Sequence, residues 1–351
     1  MNAKQVARRG ERLAYAVGLQ GHRQSYLNLL GDLFDLEPMV GRMTPSLFKR
    51  LVRADQVLFT SLDDGMYAFA AVSLMRSLAG RPTAALFLRA QKCFDSGNWR
   101  YGLKRHAFAT MRRLPHLTIA TITPFDVAPR YAEVANVGVC DPQYWDRYAD
   151  LAIRQPTTTD LSALVLAHAS GRQICCALGS IGTGKGLRFL AETLESYPEI
   201  TEKILIVCAG HVPYHGLELA RRLEKAGALL IGRFLTDAEL ESLYSVADVV
   251  WACYAPDYDQ ASGIFGRALQ FGIPPLVRQG SVIEAFATSN GVRSISVRFG
   301  SRRELSRSLL SMCSHKPPKI GSSPTDLTKL VGEWRRQFEN TIRAALEGQC
   351  S

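Results

Sequence analysis

The feature of this sequence that most constrains its fold is an alternation of short apolar strands and helical stretches that runs through the chain twice. In the first half, buried-type strands at Asp55 to Ser61 and Arg81 to Leu88 flank a helical stretch at Met66 to Leu78. The pattern breaks at about 136–172, where Pro156 to Asp160 form a polar turn cluster typical of a linker. The alternation then restarts and continues through the second half.

This double alternation predicts the α/β class, with two consecutive Rossmann-like domains built on parallel sheets that helices cover. The predicted N-terminal domain spans 1–155 and the predicted C-terminal domain spans 156–325. The last segment, 326–351, reads as a long amphipathic helix that packs back toward the N-terminal domain. Two such sheets facing each other would form a cleft at the carboxyl ends of their strands, where ligands of these folds bind.

Composition narrows the class of protein further. The chain has 351 residues, of which 47% are apolar, and no apolar run reaches the roughly 18–20 residues that span a bilayer. The first ten residues are polar and basic with no apolar segment after them, so we expect no secretory signal. The 8 cysteines are scattered without a C-x-x-C pair, which favours buried free thiols in a reducing cytoplasm over a metal site.

The net charge of +10 favours anionic partners. Because the basic residues are dispersed and no nucleic-acid-reading motif is visible, we expect no nucleic-acid partner. The segment Trp99–Arg113 is basic, helical in pattern and interleaved with aromatic residues, which is typical of a helix lying on an anionic membrane surface. An ordinary amphipathic helix packed on the sheet is the alternative interpretation.

A glycine-rich turn, residues 179–186, follows one predicted strand and opens a helix. Glycines let backbone amides approach an anion closely, while the helix N-terminus and Lys185 add positive charge. The spacing of Gly179, Gly184 and Lys185 also matches a nucleotide-binding P-loop, but the next residue is Gly186. The hydroxyl that would bind Mg²⁺ is therefore missing, which argues against a P-loop ATPase.

A second turn, residues 259–263, also opens a helix, which ends at a glycine with a proline beyond it. The amides of Gly263 and Ile264 would point from this helix N-terminus toward an anion, next to the side chain of Ser262. Two such helix starts in one domain predict a clamp for a diphosphate.

The stretch from Leu178 to Pro275 resembles the donor domain of the retaining GT-B glycosyltransferases of family 4. That family's pattern is G-R-x-x-x-x-K-G, I-x-G, G-x-x-x-x-x-E-L-x-x-x-Y-x-x-A-D, E-x7-E and G-x-P. The matching segments here are 179–186, 206–210, 232–248 with one extra residue before Glu239, 259–267 and 272–274.

The resemblance implies a hexosyltransferase-like enzyme that moves a sugar from a nucleotide-diphosphate sugar to a glycan or lipid-linked acceptor. It implies retention of configuration, a role in polysaccharide or glycoconjugate synthesis, and a reaction without a bound metal or other cofactor. The donor would bind to the C-terminal domain and the acceptor to the N-terminal domain. The expected location is the cytoplasm, with peripheral contact with the inner face of the membrane.

The chain departs from the family's pattern at three positions. Ser180 stands where the family has its diphosphate-binding arginine, and Asp259 and Arg267 stand where it has two glutamates. Asp259 still offers a carboxylate to a sugar hydroxyl, and Arg267 can compensate for Ser180 by pairing with phosphate. The alternative is a catalytically inactive GT-B homologue that binds a nucleotide or glycan, or serves as a scaffold.

Two further regions complete the predicted site. The turn that follows the first strand contains Gly21 and His22, which would reach the donor phosphates or the acceptor, with His22 as a hydrogen-bond donor or an acid/base. In the family, the loop corresponding to Arg233 and Phe234 lies against the nucleoside base. The predicted catalytic residues are His22, Lys185 and Asp259. The predicted donor-binding residues are Gly21, Ser180, Lys185, Gly210, Arg233, Phe234, Ser262, Gly263, Ile264 and Arg267.

Overall fold

The computed structural model describes residues 10–19, 23–63, 65–95, 97–148, 158–314 and 324–349. The chain divides into two compact units. Unit 1 comprises the residues up to Pro142 together with those from Trp334 onward, and unit 2 comprises Gln143–Glu333. The division at Pro142 precedes the predicted boundary at 155, which itself lies outside the described residues. The segment after Pro142 belongs to unit 2 because Asp146 and Arg147 form ion pairs with helices of that unit.

Unit 1 is built on a six-stranded parallel sheet in the order β2-β1-β3-β4-β5-β6. Its strands are β1 (Arg12–Ala16), β2 (Glu37–Val40), β3 (Gln56–Phe59), β4 (Thr83–Phe87), β5 (Leu117–Thr121) and β6 (Val137–Gly138). Its helices before Pro142 are α1 (Arg23–Phe34), α2 (Pro45–Arg53), α3 (Met66–Leu78) and α4 (Trp99–Met111).

Unit 2 contains a second six-stranded parallel sheet, in the order β12-β11-β10-β7-β8-β9. Its strands are β7 (Gln173–Leu178), β8 (Ile204–Ala209), β9 (Leu229–Ile231), β10 (Val249–Ala252), β11 (Pro275–Arg278) and β12 (Ile295–Val297). Its helices are α5 (Asp160–Ala169), α6 (Leu187–Ser196), α7 (Glu199–Lys203), α8 (Leu217–Lys225), α9 (Asp237–Val246), α10 (Gly263–Gln270), α11 (Val282–Ser289) and α12 (Arg302–Ser314).

The chain ends in the long helix α13 (Pro324–Leu346), which is divided between the two units at Trp334. Its Phe338 is fully buried and its ring lies 6.4 Å from that of Phe34 in unit 1. None of the helices that the structure describes is both long and apolar enough to span a bilayer. The predicted fold class is confirmed: two parallel α/β units and a long C-terminal helix. The facing arrangement of the units across a cleft stays a prediction.

The central strands are largely apolar because both faces of each sheet are covered. Along β7, Cys175 and Ala177 pack into one buried cluster, while Cys176 and Leu178 pack into a second cluster on the opposite face. This explains why the thiols sit in apolar runs. Six of the described cysteines are buried free thiols, as predicted, whereas Cys313 is exposed.

The strand order of each sheet reverses at one place. In unit 2, β7 leads through β8 to β9 on one side, and the chain then crosses back so that β10 lies on the other side of β7. Ligands of open α/β sheets bind in the crevice at the carboxyl ends of the two strands that flank such a switch point. In unit 2 that crevice is lined by the segments that follow β7 and β10, which are the two turns singled out in the sequence.

One side chain of α3 makes an unusual contribution to unit 1. Arg76 has no exposed surface, and its guanidinium donates to the carbonyl oxygens of Leu51 (2.7 Å), Ala54 (2.6 Å) and Pro82 (2.6 Å). Its Nε donates to Thr83 Oγ1 at 2.8 Å. Burial lowers the pKa of Arg76 to about 10, so the group stays charged at neutral pH. This cation therefore joins the end of α2 to the start of β4.

Candidate functional site

The glycine-rich turn after β7 lies directly beside the start of α10. A Cβ added to Gly179 would be 3.9 Å from Ile264 Cδ1. The two anion-binding turns predicted from the sequence are thus brought together at the switch point of unit 2. The site described below belongs entirely to this unit.

The backbone of the glycine-rich turn is held by hydrogen bonds to neighbouring segments. The amide of Gly179 donates to Ala209 O and that of Ile181 donates to His211 O, both at 2.9 Å. The Lys185 carbonyl accepts a hydrogen bond from the buried indole of Trp251 at 2.8 Å. The turn is therefore fixed on both flanks, and its Lys185 side chain is presented from a rigid base.

Lys185 lies half-buried between two tyrosines. Its Nζ is 4.3 Å from the centre of the Tyr254 ring and 5.0 Å from that of Tyr258. Aromatic faces attract a desolvated ammonium group. Burial lowers the pKa of Lys185, while its interaction with Tyr258 opposes that shift. The arrangement holds a partly desolvated cation at the crevice, where an anionic ligand would meet it with little competition from water.

Gly186 marks the closest approach between the turn and the end of β10. Its φ is +68°, and an added Cβ would lie 2.0 Å from the Cys253 carbonyl oxygen. A side chain here requires both a strained backbone and a displaced strand end. The residue that breaks the P-loop pattern is thus required by the packing of this turn.

We expect Gly186→Ala to lower the free energy of unfolding by about 2 kcal/mol or more, because strain and steric overlap add. Gly182→Ala is the matched control in the same turn, since its added Cβ would meet only His215 Nε2, at 3.8 Å. Urea unfolding of both variants measures the difference. Equal stability of the two variants would contradict the proposed packing constraint.

Ser262 is buried and acts as the N-cap of α10. Its Oγ accepts from the amide of Phe265 at 3.4 Å and pairs with the Tyr254 hydroxyl at 2.7 Å. The amides of Gly263 and Ile264 have no acceptor within the helix, as in any first helical turn. Ser262 therefore links the helix start to the tyrosine that contacts Lys185. Binding of an anion by the amides of Gly263 and Ile264 stays a prediction.

The two charged residues at the positions of the family's glutamates are both in ion pairs. Arg267 forms a two-pronged pair with Asp146, with Nη1–Oδ1 at 2.5 Å and Nη2–Oδ2 at 2.9 Å. Asp259 Oδ1 accepts a hydrogen bond from the amide of Val282 and forms an ion pair with Arg278 Nη2, each at 2.9 Å. The guanidinium of Arg267 is thus paired with a carboxylate in this structure, and Asp259 accepts from the first amide of α11, whose N-cap is Ser281. Their roles toward phosphate and sugar stay predictions.

Arg278 is a candidate site residue that the sequence analysis missed. It ends β11, beside Cys253 at the end of the neighbouring strand, and its side chain is only 12% exposed. Its Nε is buried and makes no hydrogen bond to any residue that the structure describes. The signal was present in the sequence, since an arginine at the carboxyl end of a parallel strand adjoins the ligand crevice.

Gly210, Arg233 and Phe234 lie at the ends of β8 and β9. Gly210 adjoins the glycine-rich turn, because its added Cβ would be 2.0 Å from Gly179 O. Phe234 is exposed and its ring stacks on that of His211, with centroids 4.6 Å apart and planes 6° apart.

Arg233 pairs with Glu239, which is also part of a capping box with Thr236 at the start of α9. This pairing, together with hydrogen bonds from Thr236, lowers the pKa of Glu239 to about 2. Arg233 thus has a carboxylate partner in this structure. A contact of the 233–234 loop with a nucleoside base stays a prediction.

Gly21 and His22 lie outside the described residues, so their predicted roles stay predictions. Ser180 follows Gly179 in the fixed turn, where its carbonyl accepts from the amide of Gly182 at 3.1 Å. Within the part of the chain that the structure describes, no three His, Cys, Asp or Glu side chains lie together as metal ligands would.

The sequence matches no family model, and no curated protein sequence matches it. Solved structures do match. Anabaena HepE in complex with UDP and glucose is 10% identical, with a TM-score of 0.67 over 95% of this chain and 100% of that chain. A UDP-forming α,α-trehalose-phosphate synthase from Burkholderia xenovorans, in complex with glucose-6-phosphate, is 11% identical, with a TM-score of 0.59 over 86% of this chain and 80% of that one.

An Escherichia coli structure, trehalose-6-phosphate bound with UDP-2-fluoro glucose, is 11% identical, with a TM-score of 0.57 over 92% of this chain and 82% of that chain. At such low sequence identity, structural similarity shows a shared fold but not a shared activity. Membership of family 4 stays a prediction. The structural similarity extends over most of the chain. We conclude that this protein has the GT-B fold.

Proposed function

We propose that this protein is a glycosyltransferase that moves a sugar from a nucleotide-diphosphate sugar to a hydroxyl group of a glycan or lipid-linked acceptor. The observation that carries the proposal is the pair of cationic side chains, Lys185 and Arg278, on either side of the end of β10 at the switch point of unit 2. The similar structures hold UDP with glucose and UDP-2-fluoro glucose, which supports a nucleotide-sugar donor.

In the proposed reaction, the bond between the anomeric carbon and the β-phosphate oxygen breaks, and the acceptor oxygen bonds to that carbon. The nucleoside diphosphate leaves with the bonding electron pair, and the proton of the acceptor hydroxyl passes to this diphosphate or to solvent. Lys185, Arg278 and the helix end at Gly263 offer positive charge to the phosphate oxygens where negative charge develops. Retention of configuration, a reaction without a metal, and a role in glycoconjugate synthesis are included in the proposal on family resemblance.

The direct test is a panel of nucleotide sugars and nucleoside diphosphates in a thermal-shift assay, followed by a transfer or hydrolysis assay with each stabilising compound. A donor at about 100 times its dissociation constant stabilises the protein by about 2.7 kcal/mol. We expect stabilisation by one class of nucleotide sugar and release of its nucleoside diphosphate. No stabilisation and no release across the panel at millimolar concentration would refute the proposal.

A non-catalytic nucleotide-binding or scaffold protein is the second candidate. The ion pairs of Arg267 with Asp146 and of Asp259 with Arg278 favour it, because both side chains at the family's glutamate positions already have partners. This candidate predicts binding of a nucleoside diphosphate without turnover of any nucleotide sugar. The same panel therefore separates the two functions.

We expect Arg278→Gln to weaken nucleoside-diphosphate binding about 10- to 100-fold, since one charge-assisted contact to phosphate is lost. Arg278→Lys should recover part of the lost affinity, because lysine keeps the positive charge but lacks the planar guanidinium. Arg298→Gln is the control, because Arg298 is a well-exposed cation of the same unit paired with Glu304. Isothermal titration calorimetry measures the constants, and wild-type affinity of Arg278→Gln would remove Arg278 from the site.

A further inference from the structure

The outer face of α3 is apolar over three turns. Tyr67 is 86% exposed and Leu78 is 77% exposed, with Leu74 and Met75 also exposed between them. The helix presents no charge to solvent, because its one charged side chain, Arg76, is completely buried. A helix that is apolar on all sides is normally covered on all sides.

The adjacent helix extends this surface. α3 and α4 connect neighbouring parallel strands in the same direction, β3 to β4 and β4 to β5, so right-handed crossovers place them on the same face of the sheet. The buried rings of Phe69 on α3 and Phe108 on α4 are 6.3 Å apart. The α3–α4 face is defined here as Tyr67, Leu74, Met75 and Leu78 of α3 with Trp99 and Leu103 of α4, all exposed.

The same part of the chain has an excess of basic over acidic residues. Residues 65–113 contain nine Lys and Arg but a single Asp, in a protein whose net charge is +10. Several of these cations already have partners within the unit. Lys104 and Arg105 are paired with Asp63 and Glu133 within the unit, whereas Arg100 and Arg113 of the same segment are exposed.

The exposed side chains combine two chemistries in one place. Trp99 is 72% exposed with the Arg100 guanidinium 5.9 Å from the centre of its ring, and Leu103 follows one turn later. Aromatic and aliphatic side chains next to arginine are typical of proteins that lie at the boundary between lipid headgroups and acyl chains. A nucleic acid would complement the charge but not the apolar stripe, and a second copy of the chain would bring like charges together.

We propose that the α3–α4 face binds peripherally to an anionic lipid bilayer. The apolar side chains of α3, with Trp99 and Leu103, enter the boundary of the acyl chains, and Arg100 and Arg113 meet the anionic headgroups. The prediction from the sequence placed this contact on Trp99–Arg113 alone. The structure assigns most of the apolar surface to α3 and removes Lys104 and Arg105 from the contact.

The test is co-sedimentation of the full-length protein with vesicles of phosphatidylcholine alone and of phosphatidylcholine with phosphatidylglycerol. We expect binding to the anionic vesicles, and a loss of at least about tenfold in the partition constant for the double variant Leu74→Glu, Leu78→Glu. The double variant Leu164→Glu, Leu166→Glu is the matched control, because these exposed leucines lie on α5 of unit 2. Each of Arg100→Gln and Arg113→Gln should weaken anionic-vesicle binding about fivefold.

Equal binding to the neutral vesicles, or equal effects of the two double-leucine variants, would overturn the proposal. So would association of the protein with itself, seen by analytical ultracentrifugation and abolished by Leu74→Glu, Leu78→Glu, when no vesicle binding is found. RNA or DNA binding that exceeds vesicle binding and ignores the leucine changes would assign the face to nucleic acid. Vesicle binding does not require glycosyl transfer, so Lys185→Ala should bind vesicles as the wild type does, and either proposal can fail alone.

Discussion

Replacing Lys185 by alanine is expected to lower the turnover of the nucleotide sugar by about 10²–10³-fold, the usual effect of removing one preorganised group that stabilises transition-state charge. The ammonium is already in place, since it lies over the Tyr254 ring and comes from a turn fixed by Trp251. A group held in this way needs little reorganisation when negative charge develops on the leaving diphosphate. Steady-state kinetics with the donor found in the panel gives the measurement.

The stability of the same variant separates a functional role from a structural one. Because burial lowers the pKa of Lys185, the folded state binds this proton less well than the unfolded state. The charged side chain therefore destabilises the free protein at neutral pH, and stability rises as the pH increases through the folded-state pKa. Lys185→Ala should thus leave the unfolding midpoint unchanged or slightly higher while activity falls.

The pH profile gives a further check on Lys185. The ammonium is the form that stabilises the diphosphate, and its lowered pKa means that its charge is lost at a lower pH than in free lysine, 10.5. The alkaline decline of kcat/KM in the wild type should therefore lie below 10.5, and Lys185→Arg should not show it, because arginine stays charged. Undiminished turnover in Lys185→Ala, or an alkaline decline that persists in Lys185→Arg, would refute the role of Lys185.

The parts of this protein that the sequence predicted well are those determined locally. Strands such as β7 and turns such as 179–186 follow from short apolar runs, glycines and capping residues, which act over a few positions. The capping box at Thr236 and Glu239 is an example, since its two partners are three residues apart and the structure contains both hydrogen bonds. The switch point then brought the two turns together, because both follow central strands of one parallel sheet.

The charge pairs of the site were beyond prediction because their partners are far apart in sequence. Arg267 meets Asp146 across 121 positions, and Asp259 meets Arg278 from a different strand end. The residue types in a sequence show which charged side chains are present, but they do not show which of them form ion pairs. The ion pairs of Lys104 and Arg105 could not be predicted from the basic segment for the same reason, since their acidic partners lie on other elements.

The environment of Arg76 is also set by residues distant in sequence and could not be predicted. Replacing Arg76 gives the prediction with the largest expected effect on stability. Its apolar surroundings on α3 suggest a cation that reaches solvent, yet the structure buries it completely. The compensating groups are backbone carbonyls, several of them at the end of α2, where the helix dipole is negative. A buried cation without a carboxylate partner is tolerated only when its donors are satisfied in this way.

We expect Arg76→Met to lower the free energy of unfolding by about 3–5 kcal/mol, because the buried carbonyl oxygens of Leu51 and Pro82 lose this donor together and that of Ala54 loses one of two. Arg76→Lys should be nearly as destabilising, since one ammonium group cannot replace the planar guanidinium that donates to carbonyls of both α2 and the segment before β4. Arg81→Met is the matched control. Arg81 also donates to the carbonyl of Ala54, but from the surface.

Loss of the surface arginine should cost less than about 1 kcal/mol, because water replaces its hydrogen bonds. Urea unfolding provides the free energies, and hydrogen exchange of the α2 and β4 amides shows whether the damage is confined to the elements that Arg76 joins. If Arg76→Met were as stable as Arg81→Met, the carbonyls must find other donors, and the buried guanidinium would not be what holds α2 against β4. A large difference, by contrast, would show that this single cation joins α2 to β4, so that the only charge of α3 acts inside the unit.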